Sequence, residues 1–507
     1  MDFEYLTFNL VTFFIFLFFV FLLINGRRKS TRTKTINLPP GPWKLPILGN
    51  LHNMMMGSVP HRLLRDLAKK HGDLMLLKLG EFNAIVVSSP RMAKEVLKTH
   101  DLSFLNRPII QAPKILCYDN SDLVFSQYGD SWRQMRKIFV LELLSTKRVR
   151  SFQPIRQDEG SRLVSLIKES VGKSIDLSEK INSYTTSMVA RAAFGKVNDA
   201  GVTFLKLVKE ASEVAGGFDP ADIFPSYKFL NVFFNSRSKL LKIHGKTDMI
   251  LEEMIDEHIK NHEMGKKANG ENGKEDVIDI LLSIKDSGEL QFPFQMNNVK
   301  ALIFDMFAAG TETSSSTVEW AMSELIRNPD VMAKAQNEVR QVLKGKQIVD
   351  ESVLQELEYL KLIVKEVLRL HPSSPLLIPR ECREDCQIDG YDIPVKTRVF
   401  VNIWAIARDD KYWKDPESFI PERFENTCFD FTGNNFEYLP FGSGRRMCPG
   451  MTFGLANVDL VLALLLYHFN WKLPPGVNDI DMTERVGLGA TKKHSLVLIP
   501  TLYDPSF

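Results

Sequence analysis

Cys448 lies in the string PFGSGRRMCPG, residues 440 to 450, where Phe441, Gly442, Gly444 and Arg446 precede the sulfur and Gly450 follows it. Glycines, lacking a Cβ, let backbone N–H groups close on a sulfur atom, and a nearby cation favours its thiolate. Such a thiolate can bind haem iron axially and donate charge that favours O–O cleavage. A cysteine in a Gly-rich turn is more often an ordinary reduced thiol. Here the spacing F-x-x-G-x-R-x-C-x-G is met at all five defined positions, which favours the iron ligand.

Three further strings could carry supporting chemistry. In AGTET, Ala309 to Thr313, Gly310 weakens a helix, and a threonine hydroxyl bonded back to a carbonyl can open the helical ladder to water or dioxygen. The hydroxyl of Thr313 and the carboxyl of Glu312 then offer a route for the two protons that reductive O–O cleavage requires. In WRQMRK, Trp132 and Arg136 stand four apart on one helical face, so an indole N–H and a guanidinium can meet the same carboxylate. In KEVLRLHP, Glu366 and Arg369 stand three apart and can pair, which for an exposed pair is worth only a few tenths of a kcal/mol.

Taken together, these strings resemble the cytochrome P-450 monooxygenases, in the family's order from about Pro39 to the C-terminus, and most of all the plant microsomal group that includes limonene hydroxylase. The resemblance implies haem b ligated by Cys448 in a loop with Phe441, and propionates held by Trp132, Arg136, Arg380 of IPRE, and Arg446. It gives Glu312 and Thr313 the roles of oxygen activation and proton delivery. It docks Arg423 of PERF against Glu366 and Arg369 in a buried triad, a scaffold rather than a catalytic group. It lines the substrate pocket with Ile115 to Asp122, Phe304 to Ala309, Pro375 to Ile378 and Val486 to Gly489, largely apolar stretches suited to a terpenoid or an alkaloid skeleton. Relatives often carry a proline after His371-Pro372, where this chain has Ser373, and another where it has Asp73, so no one relative's regiochemistry transfers.

The elements that must position these groups are mainly α with a smaller β part, the P-450 fold. Ala301 to Leu325 is apolar on most faces, as a central buried helix should be. NAIVVSS and TRVFVNI read as short strands, residues 264 to 276 as a surface loop, and Gly216 to Leu230 as a loop that in the family borders the substrate entrance and touches lipid. His371 reads as a packed or capping histidine. Cys382 and Cys386 lack the second ligand pair of a zinc site and read as structural thiols.

From Tyr5 to Ile24 no residue is charged. About 20 residues at about 1.5 Å each reach about 30 Å, the thickness of a bilayer's hydrocarbon core. Arg27, Arg28, Lys29, Arg32 and Lys34 follow, which predicts an uncleaved N-terminal transmembrane helix with a cytosolic body. The organisation expected is a membrane anchor over 1–26, a basic and proline-rich linker over 27–50 and a catalytic domain over 51–507. The endoplasmic reticulum is implied by the resemblance.

The chain's 507 residues carry 64 Lys+Arg against 62 Asp+Glu, a net charge of +2, which gives no footprint for nucleic acid. Its five cysteines, odd in number, read as reduced thiols. No G-x-G-x-x-G follows a strand, so electrons should come from a separate protein, by resemblance NADPH–cytochrome P-450 reductase, for which Arg133 and Lys137 offer a basic docking face. A haem-thiolate isomerase and a non-catalytic haem protein are the rival functions. The intact Glu312–Thr313 pair counts against the first, and the proton-delivery helix and apolar pocket against the second.

Overall fold

The computed structural model describes residues 36–504, apart from 55–58, 197–198, 217–218, 228–234, 266–274, 289, 345–350 and 488. The apolar run Tyr5–Ile24 therefore lies outside the described residues. So does most of the loop expected at 264–276.

Helices form most of the body, and five of them frame the cysteine loop: α1 Asp130–Ile138, α2 Met296–Gly310, α3 Glu312–Arg327, α4 Glu358–Leu370 and α5 Met451–His468. Helix α5 is apolar all round, and Val461, Leu462, Leu465 and Leu466 are fully buried. A helix of that kind belongs inside a core. It is long and apolar enough to cross a membrane. Here it packs against α3, α4 and the Gln153–Lys168 helix. In α4, Leu360, Ile363, Val364, Val367 and Leu370 fill one stripe, and Pro372 prevents its continuation.

The central helix expected over 301–325 opens at the AGTET string, as Gly310 and the threonine hydroxyls there predict. It breaks at Thr311, which has φ −89° and ψ −66° and separates α2 from α3. The hydroxyls of Thr311, Thr313 and Thr317 donate to the carbonyls of Phe307 (2.9 Å), Ala309 (2.6 Å) and Thr313 (2.8 Å). Side-chain donors competing for helix carbonyls bend a helix, and Gly310 removes the Cβ that would resist it.

Among the described residues nine strands occur: β1 Leu74–Leu79, β2 Phe82–Val87, β3 Ile175–Asp176, β4 Arg380–Glu381, β5 Cys386–Ile388, β6 Tyr391–Ile393, β7 Arg398–Val401, β8 Phe469–Lys472 and β9 Val497–Leu502. The main sheet has the order β1-β2-β7-β4. β1 and β2 form an antiparallel hairpin, in which Leu74 faces Val87, through Gly80 at φ +58°. β2 and β7 are parallel, with Ala84 beside Arg398. These are the two stretches read as strands from their β-branched residues. The other sheets are β3-β9-β8 and the hairpin β5-β6.

A buried charged cluster joins α4 to the segment leading to the cysteine loop. Glu366 and Arg369 are both fully buried and doubly bonded, Nε to Oε2 at 2.7 Å and Nη2 to Oε1 at 2.8 Å. Arg423 Nε donates to the same Oε1 at 2.9 Å. Arg369 donates its remaining N–H groups to the carbonyls of Ala407, Pro416 and Ser418. All five guanidinium hydrogens thus have partners, the condition under which a buried charge is tolerated.

Candidate active site

The cysteine loop turns back on itself: the Cys448 N–H donates to the Phe441 carbonyl at 3.0 Å, and the Met447 N–H to that of Gly444 at 3.1 Å. Gly442 and Gly444 have φ of +71° and +73°. At Gly444 a Cβ would also lie 2.3 Å from the Leu97 carbonyl oxygen, so only glycine fits. Phe441 packs edge-on against Phe431. The loop runs straight into the N-terminus of α5, where the backbone N–H groups of Gly450 and Met451 favour the Cys448 thiolate.

Cys448 shows accessible surface, yet burial pushes its thiol up, opposed by those two N–H groups and by Arg136. A sulfur both accessible and desolvated faces an enclosed space rather than bulk water. Ala309 and Thr313 show open surface in the middle of a buried helix pair, between Phe307 and Ser314, which are themselves buried. Leu377 adopts φ +52° and packs close to Gly442. Leu377 approaches Gly442 of the cysteine loop, and Ser314, just after the α2–α3 break, approaches Gly454 at the start of α5, so the loop, the break and Leu377 border one interior region, the chamber of the candidate site. A separate polar cleft lined by Asp158, Glu159, Arg162 and Arg191 has none of this chemistry.

The arginines on one side of the chamber have a surplus of positive charge. Arg380 donates to Asp101 at 2.8 Å and to the Ser443 carbonyl at 3.0 Å. Arg446 stacks over Trp132 and donates to the carbonyls of Leu105, at 2.7 Å, and Ser126, at 2.6 Å. Arg107, which sequence reasoning did not single out, donates to the carbonyls of Val124, Ile378 and Pro379. Arg136 pairs with no carboxylate among the described residues. Burial lowers all four guanidinium groups, Arg446 to about 9 and Arg107 well below the ordinary value. Cations held this close need anions beside them. The two propionates of haem fit that need, and the shielded, N–H-bonded sulfur fits its iron.

Trp132 is placed differently from expectation. It is buried on α1, but its indole N–H donates to the Leu123 carbonyl at 3.1 Å. It therefore braces the 122–126 loop and supports Arg446 from below. Arg133 pairs with Asp130 on its own helix, which reduces the free positive charge of the face read as a docking surface; Lys137 is exposed.

The 122–126 loop is also tied to α2 by a carboxyl pair that sequence reading passed over. Asp305 accepts from the Leu123 and Val124 N–H groups at 2.8 and 3.3 Å, and Asp122 from that of Phe125 at 2.8 Å. The two side chains are buried against each other. Desolvation raises both, Asp122 to about 6 and Asp305 well above its usual range, so the pair holds a proton near neutrality. These protons are bound more tightly folded than unfolded, so the pair's contribution to stability falls as pH rises from about 4 to about 7. In Asp122→Asn that slope should flatten. Unfolding midpoints of the two proteins should differ in the variant's favour increasingly with pH over that range.

Glu312, at the start of α3, is raised above its ordinary value chiefly by desolvation, opposed by Arg485 and Lys209. It thus holds a proton more readily than a free glutamate. Ser373, standing where relatives often carry proline, donates to the Thr313 carbonyl at 3.3 Å and lies 3.3 Å from the Thr317 hydroxyl. His371 packs as expected, stacked on Trp320 and bonded to Glu324 at 2.7 Å.

Comparisons with known proteins agree with this geometry. The cytochrome P450 family profile matches residues 39–499. The chain is 86% identical over 507 residues, all of both chains, to Cytochrome P450 71D2 of Catharanthus roseus. It is 58% identical over 480 residues to premnaspirodiene oxygenase of Hyoscyamus muticus, covering 94% of this chain and 95% of that one. It is 56% identical over 481 residues, with the same coverage, to tabersonine 3-oxygenase of Catharanthus roseus. Among solved structures, a zebra fish cytochrome P450 with progesterone superposes with a TM-score of 0.75 at 25% identity, over 88% of this chain and 100% of that one.

Proposed function

Because this chain belongs to the cytochrome P450 family and is similar along its whole length to named oxygenases, we propose that it hydroxylates a hydrophobic terpenoid with dioxygen and with electrons that a separate reductase draws from NADPH. The observation that carries this reading is the desolvated Cys448 sulfur in a loop flanked by arginines short of anions. Haem, when bound, supplies dioxygen activation and insertion of one oxygen atom into a C–H bond.

The chain's own residues do the rest. Cys448 would hold the iron, its charge moderated by the Gly450 and Met451 N–H groups. Arg136, Arg380 and Arg446 would take the propionates, and Phe441 fixes the loop through its carbonyl. Thr313 and Glu312 stand at the break, where a hydroxyl and a carboxyl whose proton affinity burial raises can pass protons inward. Apolar side chains such as Phe304 and Leu377 leave a substrate to be held by shape.

The terpenoid assignment is supported by the similarity to premnaspirodiene oxygenase, and an alkaloid substrate is the second reading, supported by the similarity to tabersonine 3-oxygenase. Incubation of membranes with reductase, NADPH and panels of both compound classes separates them. Oxygenated product that requires every component is expected from the terpenes. Product from alkaloids alone selects the second reading, and product without dioxygen selects an isomerase.

Thr313→Ala should lower product formed per NADPH by about 10-fold or more, with peroxide rising to match, as expected when a positioned proton donor is lost. Unchanged coupling would remove Thr313 from the proton route. The run Tyr5–Ile24 followed by basic residues supports a single-pass anchor in the endoplasmic reticulum membrane, with the catalytic domain in the cytosol and lipid at the substrate entrance. Resistance of the full chain to alkaline extraction from membranes checks it; loss of that resistance in a chain lacking 1–26 assigns the anchor.

A further inference from the structure

Two cysteines that the proposed reaction does not use are placed to react with each other. Cys382 follows β4 and Cys386 opens β5, and their sulfurs lie 3.8 Å apart, in contact. Cys382 is fully buried, while Cys386 is partly open to solvent. The backbone around Cys382 is pinned: its N–H donates to the Thr397 carbonyl and its own carbonyl accepts from Lys396, both at 2.9 Å. Its sulfur donates to the Glu384 carbonyl at 2.9 Å. The turn between the cysteines is fixed at both ends, by the Arg383 N–H on the Ser103 carbonyl at 2.8 Å and by the Val395 N–H on the Asp385 carboxylate at 2.7 Å.

The pair is chemically unequal as well. The contact with Cys382 lowers the Cys386 thiol, whereas Cys382 is raised by its bond to Cys386 and by burial. The partly exposed sulfur is thus the readier thiolate, with a protonated partner in contact behind it. That is the arrangement of an attacking and a resolving cysteine.

We propose that Cys382 and Cys386 form a peroxide-oxidised dithiol, a modification site in which Cys386 reacts first and Cys382 closes a disulfide. Cys386 thiolate attacks one oxygen of hydrogen peroxide, the O–O bond breaks and hydroxide leaves, giving a sulfenic acid. The Cys382 sulfur then displaces that hydroxyl as its own proton leaves, forming the S–S bond and releasing water. In sum two thiols are oxidised by two electrons and one peroxide is reduced to two waters. The sulfurs must close from 3.8 Å to about 2.0 Å. With Cys382 pinned, the movement falls on Cys386 and the 383–385 turn.

The site lies two residues beyond Arg380, whose guanidinium bonds Asp101 and the Ser443 carbonyl of the cysteine loop. Oxidation therefore acts on the strand that carries one of the chamber's cations.

Arg383, between the two cysteines, makes the test direct. Trypsin cleavage after Arg380, Arg383 and Lys396 leaves Cys382 and Cys386 on separate peptides, Glu381–Arg383 and Glu384–Lys396, unless a bridge joins them. The full chain treated with graded hydrogen peroxide should lose the Cys382 and Cys386 thiols together and yield the bridged pair, and dithiothreitol should reverse it. In Cys382→Ser, Cys386 should accumulate as a sulfenic acid trapped by dimedone, with no bridged peptide. In Cys386→Ser, Cys382 should stay reduced. Alkylation of both cysteines on separate peptides, at a peroxide dose that oxidises the exposed Cys428, overturns the proposal. So does conversion of Cys386 to sulfinic acid without a bridge. Added peroxide makes the result independent of the proposed monooxygenase reaction.

Discussion

Cys448→Ser protein should fold and yet lose the long-wavelength absorbance band of the reduced carbon monoxide adduct, together with all oxygenase activity. The effect is total because no second group can replace the sulfur. The Gly450 and Met451 N–H groups converge on that atom, and the other four cysteines lie elsewhere in the chain. Serine keeps the size of the side chain but removes the soft anion that pushes charge to iron. Circular dichroism and thermal unfolding of the apoprotein check that the fold survives. A retained band would refute Cys448 as the ligand.

The second large effect is expected at a residue that touches no substrate. Glu366→Ala leaves Arg369 and Arg423 facing each other across a site from which their shared carboxylate has gone. Breaking a buried ion pair from one side costs about 3–5 kcal/mol, against a total stability of about 5–15 kcal/mol for a typical domain. The Ile420 N–H also loses its acceptor. We expect little folded, haem-loaded protein in expression trials and a much lower unfolding midpoint in what is recovered. Glu366→Gln keeps one acceptor oxygen and should fall between the two. Near-native yield of Glu366→Ala would show that the carboxylate's charge is dispensable.

Local sequence made the cysteine loop legible because its requirements are local. Two positive φ values and two N–H···O closures fall within 440 to 450, and only the close approach of Gly444 to the Leu97 carbonyl reaches outside it. The Glu366–Arg369 pair was legible from helical spacing, although its burial required the docking of Arg423 from far along the chain. Strands β2 and β7 were legible from β-branched runs, but their parallel pairing was not. What escaped was carried by residues distant in sequence. Asp122 and Asp305 meet across 183 positions, and neither string looks unusual alone. The Trp132 indole was read against a ligand because helical spacing says nothing of a backbone carbonyl, that of Leu123, brought to it by a loop. The break at Thr311, by contrast, was legible from Gly310 and the threonines of AGTET, whose hydroxyls take the Phe307 and Ala309 carbonyls. Arg107 stood in no motif and is recognised only by its place beside Arg446 and Arg380.

The pairing of β2 with β7 sets Ala84–Val87 against Arg398–Val401, and β4 joins the same sheet only through β7. During synthesis, the first hairpin must therefore leave the ribosome and wait for more than half the chain before its open edge is covered. Contacts so remote slow the search for the native state, and an uncovered strand edge invites association with other chains. Overproduction of this protein should accordingly be limited by chaperone capacity and rate of translation more than by the strength of the finished core.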